Sequence, residues 1–453
     1  MTPRHPVHPE SLTLAGSLQE DLRRDPGRTH TAYAPDAESV MSAKKAHKRS
    51  SRDIRSESRL DVLHALLSLE TSTRNELSRR TRLSVATVAT IVNELLAEDL
   101  LTEAGLSSGG AGRPTTVLRI NGNRGYVVGV DIAETYVRSV VFDAALIEVG
   151  SAEVPLDESL LSLDYLVEGT VTSLTRALAE TGVDRSAVLG AGIALPGLVR
   201  GGESMDVVAP ARQWRNREVI DRLREQIGLP LVVENSLKAI ATAELWFGKG
   251  RTASSMVIVN LGTGVGAGIF IDGKILRGSS NSAGEWGHTI LVLDGRLCRC
   301  GRRGCVEAYV GAPAIQETLR EIAPDHPLTQ AHQRDFIDAL AAELATGDQD
   351  AAVRETLART AHYLGCALAD IAAMINPELL MITGWAAWAL GELLLPDIER
   401  EMIARAPAGS ADDLELGIST VRGNSVAIGM ATLAFERFLG DVGLPTTAAP
   451  LAI

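Results

Sequence analysis

The sequence predicts an α/β protein of two or three domains, with a small helical head followed by a larger body of layered sheets. Three observations lead there. At 453 residues the chain is too long for one compact core. Apolar residues make up 45% and aromatics only 4%, so the core is mostly aliphatic, as suits α/β layers. Beyond Tyr126, apolar runs at 139–142, 188–193, 231–233, 256–260 and 379–383 alternate with helix-period stretches at 160–181, 218–227, 237–247 and 353–374.

Charge is distributed unevenly along the chain. Residues 1–125 carry 18 Lys+Arg against 15 Asp+Glu, or +3, leaving 26 against 42, or −16, for the remainder. A basic front on an acidic body fits a nucleic-acid-binding head on a body that does not touch nucleic acid. No apolar run approaches 18 residues and no signal segment opens the chain, so the expectation is a cytoplasmic protein without membrane contact.

Residues 1–42 mix Pro, His, Asp and Arg without periodicity and are expected to be disordered. Met41, just ahead of the basic run Lys44, Lys45, Lys48, Arg49, Arg52 and Arg55, is a candidate natural start. The head is placed at 43–122. Ile54, Leu60, Leu63, Leu66 and Leu67 recur at helical spacing, with His64 assigned to the polar side. Thr73 with Glu76 forms a capping box for a short helix ending near Arg80. A third helix from Ser84 carries Val85, Val88, Ile91, Val92, Leu95 and Leu96 on one face, and Ser84, Ala86, Thr87, Thr90 and Asn93 on the other. Strands at 100–102 and 115–120 around a flexible tip at 107–112 complete the pattern of a winged helix-turn-helix. Its second helix would enter the major groove of double-stranded operator DNA through Ser84, Ala86, Thr87 and Thr90, while Arg113 at the tip would reach a narrow minor groove. The bland alternative is an ordinary three-helix scaffold.

Three of the four cysteines lie within eight positions. Cys298, Cys300 and Cys305, with Gly301 and Gly304 allowing tight turns and His288 as a fourth donor, suit a tetrahedral Zn2+ with no open position, hence a structural site. Disulfides or free thiols are the alternative, although three clustered cysteines cannot all pair among themselves.

Glu285-x-Gly287-His288 followed by Cys298-x-Cys300-Gly301-x-x-Gly304-Cys305-x-Glu307 resembles the zinc and sugar motif of the ROK family of repressors, open reading frames and sugar kinases. Gly112-Arg113-Pro114 is similar to the wing of ROK repressors, including the xylose and N-acetylglucosamine type. The resemblance implies an actin-like ATPase fold whose lobes are placed at 125–235 and 236–440, with the final helix at 426–439 packing back on the first lobe and a loose tail at 441–453. It also implies that Asn235, Glu285, His288 and Glu307 contact a sugar or phosphosugar effector.

Whether the chain catalyses phosphoryl transfer turns on three segments. Where ROK kinases show Asp-x-Gly-Gly-Thr, this chain has Asp131-Ile132-Ala133-Glu134-Thr135, losing both glycines and gaining a carboxylate that repels phosphate unless it swings into solvent. The kinase base in Glu-Asn-Asp-x-Asn-Ala is replaced by Ser236 in Glu234-Asn235-Ser236-Leu237-Lys238-Ala239, and a hydroxyl cannot take the sugar proton unaided. Leu261–Gly268 keeps the family's second phosphate loop, but Trp385 replaces a glycine and could fill an adenine site. Cys366 is expected in a helix core, and Trp286 either stacks on sugar or packs. The expectation is a homodimeric or homotetrameric transcriptional regulator of carbohydrate metabolism, a repressor by resemblance, with an inactive kinase-like effector domain and a structural Zn2+. The alternatives are a bifunctional DNA-binding sugar kinase and a regulator without a sugar effector.

Overall fold

The computed structural model describes residues 51–107, 114–157, 160, 162–200, 206–209, 214–216, 218–347, 350–442 and 444. The expectations for residues 1–42 and for Arg113 fall outside these. The head contains α1 (Ser51–Leu69), the two-residue β1 (Ser72–Thr73), α2 (Arg74–Thr81), α3 (Val85–Ala97), β2 (Leu101–Ser107) and β3 (Thr115–Ile120). The local chemistry sets where these helices begin. Thr73 Oγ1 accepts from Glu76 N at 3.3 Å while Thr73 N donates to Glu76 Oε2 at 2.8 Å, so both groups of the capping box are satisfied. Ser84 caps α3 by accepting from Thr87 N at 3.1 Å. Leu63, Leu66, Leu77, Val88, Val92, Leu95 and Leu118 are buried in one cluster that joins the three helices to the antiparallel sheet β1-β3-β2.

Two assignments in the head are corrected. Val85 is 51% exposed rather than core, because it is the first residue of α3 and the apolar stripe begins one turn later at Val88. His64 is not on a polar face, since its ring lies 4.2 Å from that of Trp246, and burial pushes its pKa down to about 4.

The body contains two five-stranded sheets with the same plan. The first comprises β4 (Tyr126–Ile132), β5 (Tyr136–Asp143), β6 (Glu148–Pro155), β7 (Val188–Leu195) and β11 (Leu231–Asn235), in the order β11-β7-β4-β5-β6. The second comprises β12 (Ser255–Leu261), β13 (Val265–Ile271), β14 (Lys274–Ile275), β15 (Leu379–Thr383) and β16 (Glu415–Ile418), in the order β14-β13-β12-β15-β16. Each has a central strand, β4 or β12, that pairs antiparallel with the next strand in sequence and parallel with a later one. The later strands, covered on both faces, read as continuous apolar runs, and Leu379–Thr383 is buried throughout. Between β7 and β11 lie a small antiparallel sheet of β8 (Leu198–Arg200), β9 (Asp206–Ala209) and β10 (Trp214–Asn216), and then α5 (Glu218–Ile227); α4 (Leu163–Thr181) precedes β7.

Among the helices, α6 (Ser236–Phe247) follows β11, α7 (Glu307–Val310), α8 (Ala312–Ile322), α9 (Gln333–Thr346) and α10 (Ala351–Ile375) precede β15, α11 (Trp385–Ile403) follows it, and α12 (Ser425–Asp441) ends the body. Although it follows the second sheet, α12 lies on β4 and β7 of the first and along α6. The approach is close enough that a Cβ on Gly429 would sit 1.9 Å from Ala239 O, so no other residue fits there without displacing backbone. The last helix of the second lobe thus packs back on the first sheet, as expected for residues 426–439. The expected loose tail is corrected at Leu444, which is fully buried in the cluster holding Leu63 and Phe435; residues 443 and 445–453 lie outside the described set.

Candidate functional site

The junction of β11 and α6 delivers the first group of site residues. A parallel strand must hand over to a helix here, and Asn235 makes the handover by capping. Its Oδ1 accepts from Leu237 N at 2.8 Å and its Nδ2 donates to Gly197 O at 2.6 Å. Ser236, at the position of a kinase base, opens the helix. The neighbouring Glu234 is buried; its Oε1 accepts from Asn235 N at 2.9 Å and Asn281 Nδ2 at 2.8 Å, and its Oε2 pairs with Arg277. Lys238 is buried too, and donates to Asn281 O at 2.9 Å. Burial pushes its ammonium pKa down against the opposing charge of Glu234.

The turn between β4 and β5 faces this junction across a cleft of about 880 Å3. Asp131 accepts from Tyr136 Oη at 3.1 Å, yet burial pushes its carboxyl up to about 6. Glu134 does not swing into solvent: it pairs with Arg299 Nη1 at 2.8 Å. The same guanidinium reaches Thr263 O at 3.4 Å and lies 3.6 Å from Glu307 Oε1, so Arg299 joins the turn, the glycine hairpin and the cysteine-rich loop. Trp385, at the start of α11, closes on the hairpin, where a Cβ on Gly262 would meet its Nε1 at 2.9 Å. Arg334 stacks over the Trp385 ring at 5.1 Å.

The cysteine-rich loop brings His288, Cys298, Cys300 and Cys305 together, with all four ligand atoms within 4.8 Å of one another. His288 Nδ1 is 3.7 Å from Cys298 Sγ, and Cys300 Sγ is 3.7 Å from Cys305 Sγ. Gly301 and Gly304 take φ of +86° and +80°, the left-handed turns that fold the loop back on itself. Burial pushes the thiols of Cys298 and Cys305 up, so holding them as thiolates requires a cation among them. Three soft sulfurs and one imidazole, converging with two cysteines buried, form a donor set that fits a tetrahedral metal.

Asn235, Glu285, His288 and Glu307 all line the cleft, and the structure brings these expected residues to one place. Glu307 is already engaged: its Oε2 accepts from Val265 N at 3.0 Å and its Oε1 lies 3.5 Å from Cys298 Sγ. Trp286 packs rather than facing the cleft, donating to Ala367 O at 3.3 Å. Cys366 is half-buried with Sγ 3.9 Å from His362 Nε2, at the edge of α10 instead of its core. Arg299 was missed by sequence reasoning, though it stands inside the Cys-x-Cys motif; Arg334 and Trp388 also line the cleft and sit in no motif.

Ser84, Ala86, Thr87 and Thr90 are all exposed at the cap and first turns of α3, and none of them lines the cleft. Arg79, Arg80 and Arg82, which were not singled out from sequence, are exposed in the last turn and C-cap of α2. At the far end of α3, Glu94 and Glu98 are tied to Arg55 and Arg59 of α1.

Comparison with known proteins places this architecture. The chain is 25% identical over 386 residues to a xylose repressor from Caldicellulosiruptor bescii, covering 84% of this chain and 96% of that protein. It is 31% identical over 309 residues to a glucokinase from Halalkalibacterium halodurans, covering 67% of this chain and 93% of that one. Its fold is similar to that of a ROK family transcriptional regulator described as a homolog of the E. coli MLC protein, with a TM-score of 0.68, 24% identity, and coverage of 86% of this chain and 99% of the other. The two α/β sheets are thus those of the actin-like ROK kinase fold. The ROK family model matches residues 127–437, which take in both sheets, the cleft and the cysteine-rich loop, and the chain belongs to the ROK family.

Proposed function

We propose that this protein is a DNA-binding transcriptional regulator of the ROK type whose kinase-like cleft senses a ligand and does not transfer phosphate. The observation that carries the reading is the state of the catalytic junction. Ser236 stands where a base is needed, and the nearest carboxylate in sequence, Glu234, is buried and held by Asn235, Asn281 and Arg277. Glu134 adds negative charge to a phosphate turn, and Trp385 covers the glycine hairpin. The similarity to a xylose repressor extends over 96% of that protein, which supports a DNA-binding head on this one and a sugar as its effector.

In this reading the head, placed at 43–122, is a winged helix-turn-helix, with α2 and α3 as the motif and β2–β3 as the wing. Ser84, Ala86, Thr87 and Thr90 face the major groove, and Arg113 belongs to the wing tip. Asn235, Glu285, His288 and Glu307 contact the sugar or phosphosugar. His288, Cys298, Cys300 and Cys305 hold a Zn2+, which cross-links the loop and leaves no coordination position for water. A homodimer or homotetramer would present two heads to a palindromic operator.

A second reading, a bifunctional DNA-binding sugar kinase, is favoured by the intact glycine hairpin of Leu261–Gly268 and the likeness to a glucokinase. Coupled-enzyme measurement of ATP turnover with a panel of hexoses and pentoses separates the two. The regulator reading expects no sugar-dependent turnover; turnover that disappears in Asn235→Ala would establish the kinase reading instead.

A further inference from the structure

The exposed face of α3 carries few free hydrogen-bonding groups and a good deal of apolar surface. One hydroxyl proton is shared between Ser84 Oγ and Thr87 Oγ1 at 2.8 Å, and Ser84 Oγ also accepts from Thr87 N. Thr90 Oγ1 donates to Ala86 O at 3.1 Å. Asn93 Oδ1 accepts from Arg74 Nη2 at 3.3 Å. With Thr90 Oγ1 turned back onto the helix and one proton of the Ser84–Thr87 pair used between the two, the threonine methyls make up much of what this face offers beside a single remaining hydroxyl proton. Val85, which is 51% exposed, and Ala86 extend that surface through the first turn.

An exposed valine at the start of a helix gains nothing for folding, and the chain just before this one is rich in arginine. Arg79, Arg80 and Arg82 are exposed in the last turn of α2 and the turn leading into α3, while Glu94 and Glu98 at the far end of α3 are paired with Arg55 and Arg59 of α1. Exposed arginines in the preceding helix and an apolar first turn of α3 complement a duplex, with arginines for phosphates and the apolar turn for the floor of the major groove. In that groove the one apolar feature of a base pair is the 5-methyl group of thymine, and Ala and the Thr methyl are its usual partners.

We propose that α3 reads its operator chiefly through thymine methyl groups, with Val85, Ala86 and Thr87 making the contacts and Val85 as a specificity residue. This rests on the DNA-binding reading above. It commits the half-site to thymines at the positions under the first turn of α3, instead of a guanine read by a bidentate side chain.

The experiment uses the full chain. Duplexes are enriched from a random library, and affinity is measured by fluorescence anisotropy at fixed salt on the enriched site. Each thymine is then replaced singly by deoxyuridine, which removes the methyl and leaves every hydrogen-bonding edge unchanged. Deoxyuridine at one to three half-site positions is expected to weaken binding about fourfold per methyl, the worth of one buried methylene-sized group. Val85→Ala, at an exposed position that folding does not need, should reduce the thymine-over-deoxyuridine ratio at its own position and leave the others alone. An enriched site whose affinity is indifferent to every deoxyuridine, or weakened equally at positions outside the half-sites, overturns methyl readout while leaving DNA binding in place. Failure to enrich any duplex overturns the DNA-binding reading itself.

Discussion

Replacing Glu436 with Gln should change how stability depends on pH, by an amount set by its surroundings. Glu436 lies on α12 and is 4% exposed, with no hydrogen-bond partner for Oε2 among the described residues. Burial pushes its carboxyl up to about 8 from an ordinary value of 4.5, against the opposing pull of Arg277 and of a hydrogen bond with Trp246. The folded state therefore keeps a proton that the unfolded chain releases. Its contribution to stability is present below pH 4.5 and is lost as pH rises toward 8, at up to about 1.4 kcal/mol per pH unit. Over the whole window the loss is on the order of 3 to 5 kcal/mol, the lower figure allowing for relaxation around the ionised group.

Two other groups act in the same range. His64, held near 4 by burial, contributes stability above 6.5 that is lost as pH falls, so it offsets Glu436 between about 4.5 and 6.5. Asp131, raised to about 6, adds to the Glu436 trend below that value. The difference between variant and parent removes both. In urea unfolding at pH 5, 6, 7 and 8 and constant ionic strength, Glu436→Gln should gain on the parent by about 1 kcal/mol per unit, most steeply between about pH 5.5 and 7 and less as pH approaches 8. A difference that stays flat across the four pH values would refute the claim that Glu436 is buried and protonated.

In the proposed reading of a structural Zn2+, Cys300→Ser should lose zinc and solubility together, read by metal content and by sedimentation, because a structural site couples binding to folding; a soluble, folded, zinc-free variant would break that coupling. Arg113→Ala should weaken operator binding and reduce the slope of log affinity against log salt by about 1, and an unchanged slope would remove it from the wing contact. Ser236→Asp alone should not produce sugar-dependent ATP turnover, since Trp385 still lies on Gly262 and Glu134 still occupies the turn; measurable turnover would mean those two residues are no obstacle.

Elements governed by local chemistry could be read from sequence. The capping box at Thr73 and Glu76, the start of α3 at Ser84 and the turns at Gly301 and Gly304 all rest on interactions within a few residues. The gathering of Asn235, Glu285, His288 and Glu307 came only through a resemblance, since no periodicity brings residues 50 or more positions apart into one cleft. What escaped depends on distant partners or on direction within a single turn. His64 looked polar because Trp246, 182 positions on, was not visible as its cover. Glu134 looked free because Arg299 is 165 positions away. Val85 fits the apolar period of α3 as well as Val88 does, and only the fold shows that the first turn has not yet met the core.

The bonds within the cleft constrain how it could act as a sensor. Arg299 holds Glu134 of the first sheet's turn, the Thr263 carbonyl of the hairpin and the vicinity of Glu307 at once. In the proposed reading a sugar hydroxyl that donates to Glu307 competes with that guanidinium for the same carboxylate. Each exchanged hydrogen bond is worth about 1 kcal/mol net, more where a charge is involved. Ligand binding and the Arg299 link therefore share a free-energy term, and a ligand that loosens the link prefers the arrangement in which the two sheets are less firmly joined. Such a preference is what a switch needs, because a ligand with equal affinity for both arrangements shifts neither. Arg299→Ala should accordingly raise sugar affinity in calorimetric titration while reducing the effect of sugar on operator binding; unchanged values of both would place the effector elsewhere in the cleft.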